Sequence, residues 1–222
     1  MSRLIAVDTE TTGLKSKEGD RIIEAAFVEI TRDPNPRHLH LYFNPQGREI
    51  APDAIEVHGL TPEFLADKPS FCDMIDEIED FLGDDADLVI HNAGFDLEFL
   101  RDEYMNAGRV WQERKVIDTL KEAARQFPGG RHSLDALCNR FGVDLSSRTK
   151  HGALIDTKIL ANLYLAWFGQ GGFDLQGSVA IVAKEEILQL GAMNNVIVPV
   201  PVLEVAEATS RSWDDFFAKH TV

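Results

Sequence analysis

Three apolar runs open the chain in quick succession: Leu4–Val7, Ile22–Thr31 and Arg37–Phe43. The last two partly alternate, and all three read as strands. Asp33-Pro34-Asn35-Pro36 is the turn between the second and third. Short links join antiparallel neighbours, so this opening predicts a three-stranded meander. The texture then changes to helix and strand in alternation. Ser70 is placed to cap a helix over residues 71–82, with Phe71, Met74, Ile75, Ile78, Phe81 and Leu82 on one face. Leu88–His91 reads as a fourth strand and Phe95–Ala107 as a helix with Leu97, Leu100 and Tyr104 inward. Val116–Asp118 reads as a short fifth strand. Helices are expected over Thr119–Gln126, Ser133–Phe141 (stopped by Gly142) and Ala153–Phe168. The fold class is therefore α/β: a mixed sheet of about five strands, the first three antiparallel, flanked by helices.

The body ends near residue 168, and Gly169-Gln170-Gly171-Gly172 follows as a hinge. Two units are expected, a catalytic body over 1–168 and a linker with a C-terminal segment over 169–222. The segment Val196–Val202 is extended in pattern, and Val205, Ala206, Trp213, Phe216 and Phe217 share a helical face. A tail of this length is too short for a robust core of its own, yet it carries large apolar residues. That suits docking on a partner.

Charge narrows the function. The chain has 22 Lys+Arg against 37 Asp+Glu, a net −15 over 222 residues. A basic face for gripping duplex nucleic acid is not expected, so a nucleic-acid role must have a small footprint. Two cysteines, Cys72 and Cys138, exclude a disulfide framework. The longest apolar run, Leu163–Phe168, is too short to span a membrane, and no signal-peptide core precedes Asp8. The expected compartment is the cytoplasm.

Asp8 and Glu10 stand two residues apart at a strand end, so both carboxylates point to one side. Such a pair is either a solvated strand exit or a start on a Mg²⁺ or Mn²⁺ site, since hard oxygen ligands suit those ions. Asp96 follows a strand–loop turn and opens a helix. There it offsets the helix dipole, or it aims at the open end of the sheet where α/β sites form. Asp156 lies among Leu154, Ile155, Ile159 and Leu160 in the first turns of an apolar helix, and a buried carboxylate needs a partner. His151 precedes that helix, as a surface residue or as a general base within reach of a water. Read together, four acids and a histidine form one constellation: two divalent cations about 4 Å apart, one activating water and the other stabilising the leaving oxygen. The product would be a nucleoside 5′-monophosphate.

The segments VDTETTGL (Val7–Leu14), HNAGFD (His91–Asp96) and HGALID (His151–Asp156) resemble the three exonuclease motifs of the DEDD superfamily, in its histidine-bearing branch. RIIEAAFVEI (Arg21–Ile30), EVHGLTPEFLADKPSF (Glu56–Phe71), FPGG (Phe127–Gly130) and the run Ser133–Leu165 resemble the epsilon, proofreading subunits of bacterial DNA polymerase III. The resemblance covers roughly residues 3–168. It implies a ribonuclease-H-like fold and 3′→5′ removal of mispaired DNA ends. It places metal binding on Asp8, Glu10, Asp96 and Asp156, and the general base on His151. It adds substrate contacts from Asp53 and His58, beside those of Asp8, Glu10 and Asp156, and a wedging role for Leu14. From its own sequence, His58-Gly59 reads as a turn.

The resemblance also implies partners: a single-stranded or frayed 3′ end of DNA, and the polymerase alpha subunit through the tail. Gln170–Leu175 resembles a sliding-clamp peptide, with two glycines and an acid inside that the usual form lacks. Two other functions fit the same residues. One is a 3′→5′ exoribonuclease, oligoribonuclease-like or trimming tRNA ends. The other is a non-catalytic subunit bridging polymerase and clamp. Elsewhere, Cys138 is expected in the core, Cys72 near a helix start and His91 in a structural hydrogen bond. Arg131 and His132 face phosphate or a solvated loop, and Asp84–Asp87 reads as a solvated loop.

Overall fold

The computed structural model of the protein describes residues 3–146 and 151–169. Strand β1 (Arg3–Thr11) is central. It pairs antiparallel with β2 (Ile22–Glu29), which pairs antiparallel with β3 (His38–Tyr42). On its other side β1 pairs parallel with β4 (Ala86–Ile90), and β4 with β5 (Val116–Asp118). The order is β3-β2-β1-β4-β5, as the meander followed by alternation predicts. Helices follow in chain order: α1 (Pro52–His58), α2 (Pro62–Leu65), α3 (Ile75–Leu82), α4 (Ala93–Asn106), α5 (Thr119–Gln126), α6 (Leu134–Phe141) and α7 (Ala153–Phe168).

The sheet has a hydrophobic layer on each face. Ile5, Val7, Ala25 and Phe27 point to one layer, where Phe71, Ile75 and Ile78 of the α3 region meet Phe99, Leu100 and Tyr104 of α4. Ala6, Val28 and Val89 point to the other, against Leu137 and Cys138 of α6 and Ile159, Leu160 and Leu163 of α7. Burial on both faces explains why Leu4–Val7 is apolar without alternation. Each fully buried Ile or Leu is worth about 1.5–3 kcal/mol.

Four local outcomes depart from the sequence reading. β1 continues through Glu10 to Thr11 rather than ending at Asp8, because β2 stays paired to it until a bulge between Glu10 and Thr11. The expected helix over 71–82 begins as a 3₁₀ turn at Cys72–Met74 before α3. Ser70 does not cap it by accepting; its hydroxyl and amide both donate to Asp73. α1 and α2 lacked a legible pattern. Pro52 and Pro62 start them, and Gly59, at φ 74°, ends α1 in the turn read from sequence. Finally, Asp84–Asp87 is only half loop: Ala86 and Asp87 lie in β4, and Asp87 pairs with Lys115 at 3.6 Å.

A charged tie fixes α4 against the start of β2. Glu103, almost fully buried, accepts from Arg21 Nε (2.8 Å), Arg21 Nη2 (2.6 Å) and the Ile22 amide (3.0 Å). Lys17 pairs with Asp102, and Ser16 donates to Glu98. Among the described residues, no helix is long and apolar enough to cross a membrane. The clamp-like peptide Gln170–Leu175 and the apolar tail face lie outside the described residues.

Candidate active site

Asp8 and Glu10 occupy alternate positions of β1, so the pleat sends both carboxylates to the face covered by α7. The first turn of α7 is pinned there: Thr157 Oγ1 donates to Ala153 O at 2.6 Å and to Ala26 O of β2 at 3.4 Å. That brings Asp156 over β1. Ligand oxygens of Asp8, Glu10 and Asp156 all lie within 4.8 Å of one another. Glu10 is fully buried and Asp156 is 5% exposed. Three carboxylates at this separation repel in a low-dielectric site. A divalent cation turns the repulsion into binding, and the all-oxygen donor set suits Mg²⁺ or Mn²⁺ chemistry. The residues present fit such an ion.

His151 is not a free loop side chain. Its Nδ1 lies 3.0 Å from Asp156 Oδ2. A carboxylate only accepts, so Nδ1 carries the proton, and in the neutral ring Nε2 presents its lone pair. Asp156 thereby belongs to the acidic cluster and orients the imidazole as well.

The fourth acid is placed differently. Asn92, in left-handed backbone (φ 67°), turns the chain from β4 into α4, a conformation Asn tolerates. Asp96 in the first turn of α4 is buried and accepts from Thr9 Oγ1 at 2.7 Å. Thr9 lies between Asp8 and Glu10, so it points to the opposite face of β1. Asp96 is therefore not within the compact group of three. Burial holds its carboxyl up, to about 7, against the lowering effect of the Thr9 hydrogen bond; Asp118 adds a like charge. A nearby cation would return it to its ionised form. Thr9 and Asp118 escaped the sequence reading. Alternation could have placed Thr9 on the far face, but nothing in the chain said that α4 meets it there. Asp118 also caps α5, accepting from the Leu120 and Lys121 amides. His91 bonds Thr119 Oγ1 at 2.9 Å, as expected of a structural histidine.

α1 wraps over the end of β1, because the Ala51 amide donates to Thr12 O at 2.8 Å. Asp53 in its first turn lines an open groove of about 1050 Å³ between Thr12–Leu14 and Ile50–Asp53. Leu14 borders the same groove. His58, at the other end of α1, is 5% exposed, and its Nδ1 accepts from the Leu60 amide at 2.9 Å. Its Nε2 is buried beside the Thr11 backbone, and burial lowers the imidazole to about 4, so it is neutral near pH 7. Both residues thus stand near the strand end that follows the acids.

The exonuclease family RNase_T matches residues 5–164. The DNA polymerase III subunit epsilon of Salmonella typhimurium (strain LT2) is 46% identical over 178 residues, covering 76% of this chain and 72% of its own length. That of Escherichia coli (strain K12) is 44% identical over 178 residues with the same coverage. That of Rickettsia prowazekii is 43% identical over 172 residues, 75% of this chain and 74% of that one. Among solved structures, Exonuclease X in complex with 5′ overhanging duplex DNA superposes with a TM-score of 0.57 at 30% identity, covering 77% of this chain and 94% of that one. The nuclease domain of 3′hExo, a DEDDh family member bound to rAMP, has a TM-score of 0.67 at 17% identity over 77% of this chain and 93% of its own, a likeness of fold alone. With residues 5–164 matched by the family model and epsilon subunits 43–46% identical over about three quarters of its length, the chain belongs to the exonuclease family and, within it, to the epsilon subunits of DNA polymerase III.

Proposed function

We propose that this chain is the proofreading 3′→5′ exodeoxyribonuclease of a replicative DNA polymerase assembly, releasing mispaired terminal nucleotides as 5′-monophosphates. Family membership supports the reaction class. The observation that carries the mechanism is the convergence of Asp8, Glu10 and Asp156 within 4.8 Å, with His151 on Asp156. Asp8, Glu10 and Asp156 would hold divalent cations, Mg²⁺ or Mn²⁺, with Asp96 as the fourth acid of a two-ion set. Bound cations would acidify a coordinated water and offset charge on the scissile phosphate and the leaving 3′ oxygen.

The rest of the reaction belongs to the protein. His151 Nε2 takes the proton of the attacking water, while Asp156 stabilises the imidazolium through Nδ1. The groove beside β1 receives the last nucleotide, with Asp53 and His58 as substrate contacts and Leu14 between bases. Gripping one strand end suits a chain at −15, because cations rather than lysines screen the phosphate. Residues 1–168 would form the catalytic unit. Residues 169–222 would tether it to the polymerase subunit, and Gln170–Leu175 to the sliding clamp. Tethering raises the local concentration of the 3′ end and so offsets weak DNA affinity. A replication subunit of this kind works in the cytoplasm.

The test is a 5′-labelled single-strand assay on matched DNA and RNA oligonucleotides, with Mg²⁺, Mn²⁺ or EDTA, and Asp8→Ala as blank. A metal-dependent ladder shortening from the 3′ end, stronger on DNA, is the expected result. Preferential RNA trimming would make it an exoribonuclease. No cleavage of either would leave a bridging subunit.

A further inference from the structure

Beside the acidic cluster, on the same face of the sheet, stands another carboxylate that the reaction above does not use. The registers pair Glu10 with Glu24, Glu24 with Tyr42, and Ala26 with His40. Alternation therefore puts Asp8, Glu10, Glu24, His40 and Tyr42 on one face. Glu24 is 3% exposed, and a carboxylate so buried is costly unless it is hydrogen-bonded. Two groups on the edge strand flank it. His40 Nε2 lies 2.6 Å from Oε1. Tyr42 stands beside the same carboxylate, and burial together with the Glu24 charge pushes that phenol up to about 12.

Across from Glu24 is the N-terminus of α7. Its cap is Gly152, extended backbone with no side chain to accept from the first amides. A Cβ built on Gly152 would meet Glu24 Oε2 and Oε1 at 3.9 and 4.0 Å. The carboxylate thus stands close to where a capping side chain would act. A negative charge there offsets the partial positive charge of a helix end. The first turn of this 16-residue helix carries Asp156, and His151 immediately precedes the cap.

We propose that Glu24, held by His40 and flanked by Tyr42, is a positioning residue of the hydrolytic site: it caps α7 from β2 and so sets Asp156 and His151 against Asp8 and Glu10. The proposal rests on the exonuclease reading for its kinetic consequence, but its structural consequence is measurable without turnover. In the full chain, Glu24→Gln keeps the shape and removes the charge. It should lower kcat on a single-stranded oligonucleotide by about 10–100-fold, the usual effect of losing a group that orients a metal ligand, with KM changed less than about threefold. In metal-free protein, hydrogen exchange at amides 153–157 should quicken at least about fivefold, because the first turn frays more readily. Mn²⁺ should bind about tenfold more weakly. Glu24→Asp, which keeps the charge, should lose less than Glu24→Gln in all three measurements. Unchanged exchange and kcat within twofold in Glu24→Gln would overturn the proposal, and so would a lower melting temperature without either change. If the wild-type chain leaves DNA intact, the exonuclease reading falls, and the exchange and Mn²⁺ measurements still decide the role of Glu24.

Discussion

The contribution of one imidazole to the stability of this fold falls on acidification from pH 7 to pH 5. Asp96, held up by burial, changes with the opposite sign over the same range, so the effect is read as a difference between wild type and a His58 variant. His58 is buried at the end of α1 and held at about 4, against 6.5 for an ordinary histidine. The cause is burial, which disfavours the charged ring. Because the folded value lies below the unfolded one, the unfolded chain takes up the proton first as pH falls. Stability is therefore present above about pH 6.5 and is lost between there and about pH 4. At pH 5 the unfolded imidazole is almost fully protonated while the folded one is still mostly neutral. The difference between pH 7 and pH 5 comes to about 2 kcal/mol, at about 1.4 kcal/mol per pKa unit. His58→Asn keeps an acceptor for the Leu60 amide and removes the titration. Urea midpoints of both proteins at pH 7, 6 and 5 give the comparison. The wild type should lose about 2 kcal/mol more than the variant over that range. Equal losses, within about 0.5 kcal/mol, would refute the assignment of a neutral buried His58.

Other perturbations read other parts of the structure. Arg21→Ala leaves Glu103 buried without its bidentate partner and should cost about 3 kcal/mol in urea unfolding; a loss under about 0.5 kcal/mol would mean that water replaces the arginine. Gly13→Ala puts a methyl 2.5 Å from Asp20 Oδ2. Asp20 must then release the Lys15 amide, Thr12 or Arg48, which it binds at 2.8–3.2 Å. A cost of about 1–3 kcal/mol is expected from such overpacking, read as a lower melting temperature. His151→Ala should slow turnover by about 10²–10⁴-fold while Mn²⁺ affinity stays within about threefold, measured by single-turnover kinetics and titration. Full rate at neutral pH would remove His151 from the role of general base.

Much of the fold was legible because local rules agreed. β5, α5 and α7 match the elements read from the chain residue for residue, and the meander followed by alternation yields the observed strand order. The short helices α1 and α2 were not legible, because seven and four residues are too few to display a helical period. Leu65 and Ala54 are apolar in sequence for a reason visible only when Ile23 and Ile50 meet them. α3 shows a smaller discrepancy: its apolar face was read correctly, but the Asp73 carboxylate that draws in Ser70 starts it with a 3₁₀ turn.

The candidate site divides in the same way. Period-two alternation, a property of any strand, puts Asp8 and Glu10 on one side whatever surrounds them. An acid within an apolar helix marks Asp156 as a group in need of a partner. Those are local facts, and sequence carries them. Which face meets which helix is decided by packing between residues far apart in the chain. Thr9 binds Asp96 across 87 positions, and Glu103 reaches Arg21 across 82. Glu24 lies opposite Gly152 only because α7 crosses β2. Hydrogen bonding and Coulomb attraction act over a few ångströms of space whatever the separation along the chain. The chemical identity of the site is therefore written in the residues, while its alignment is set by the fold.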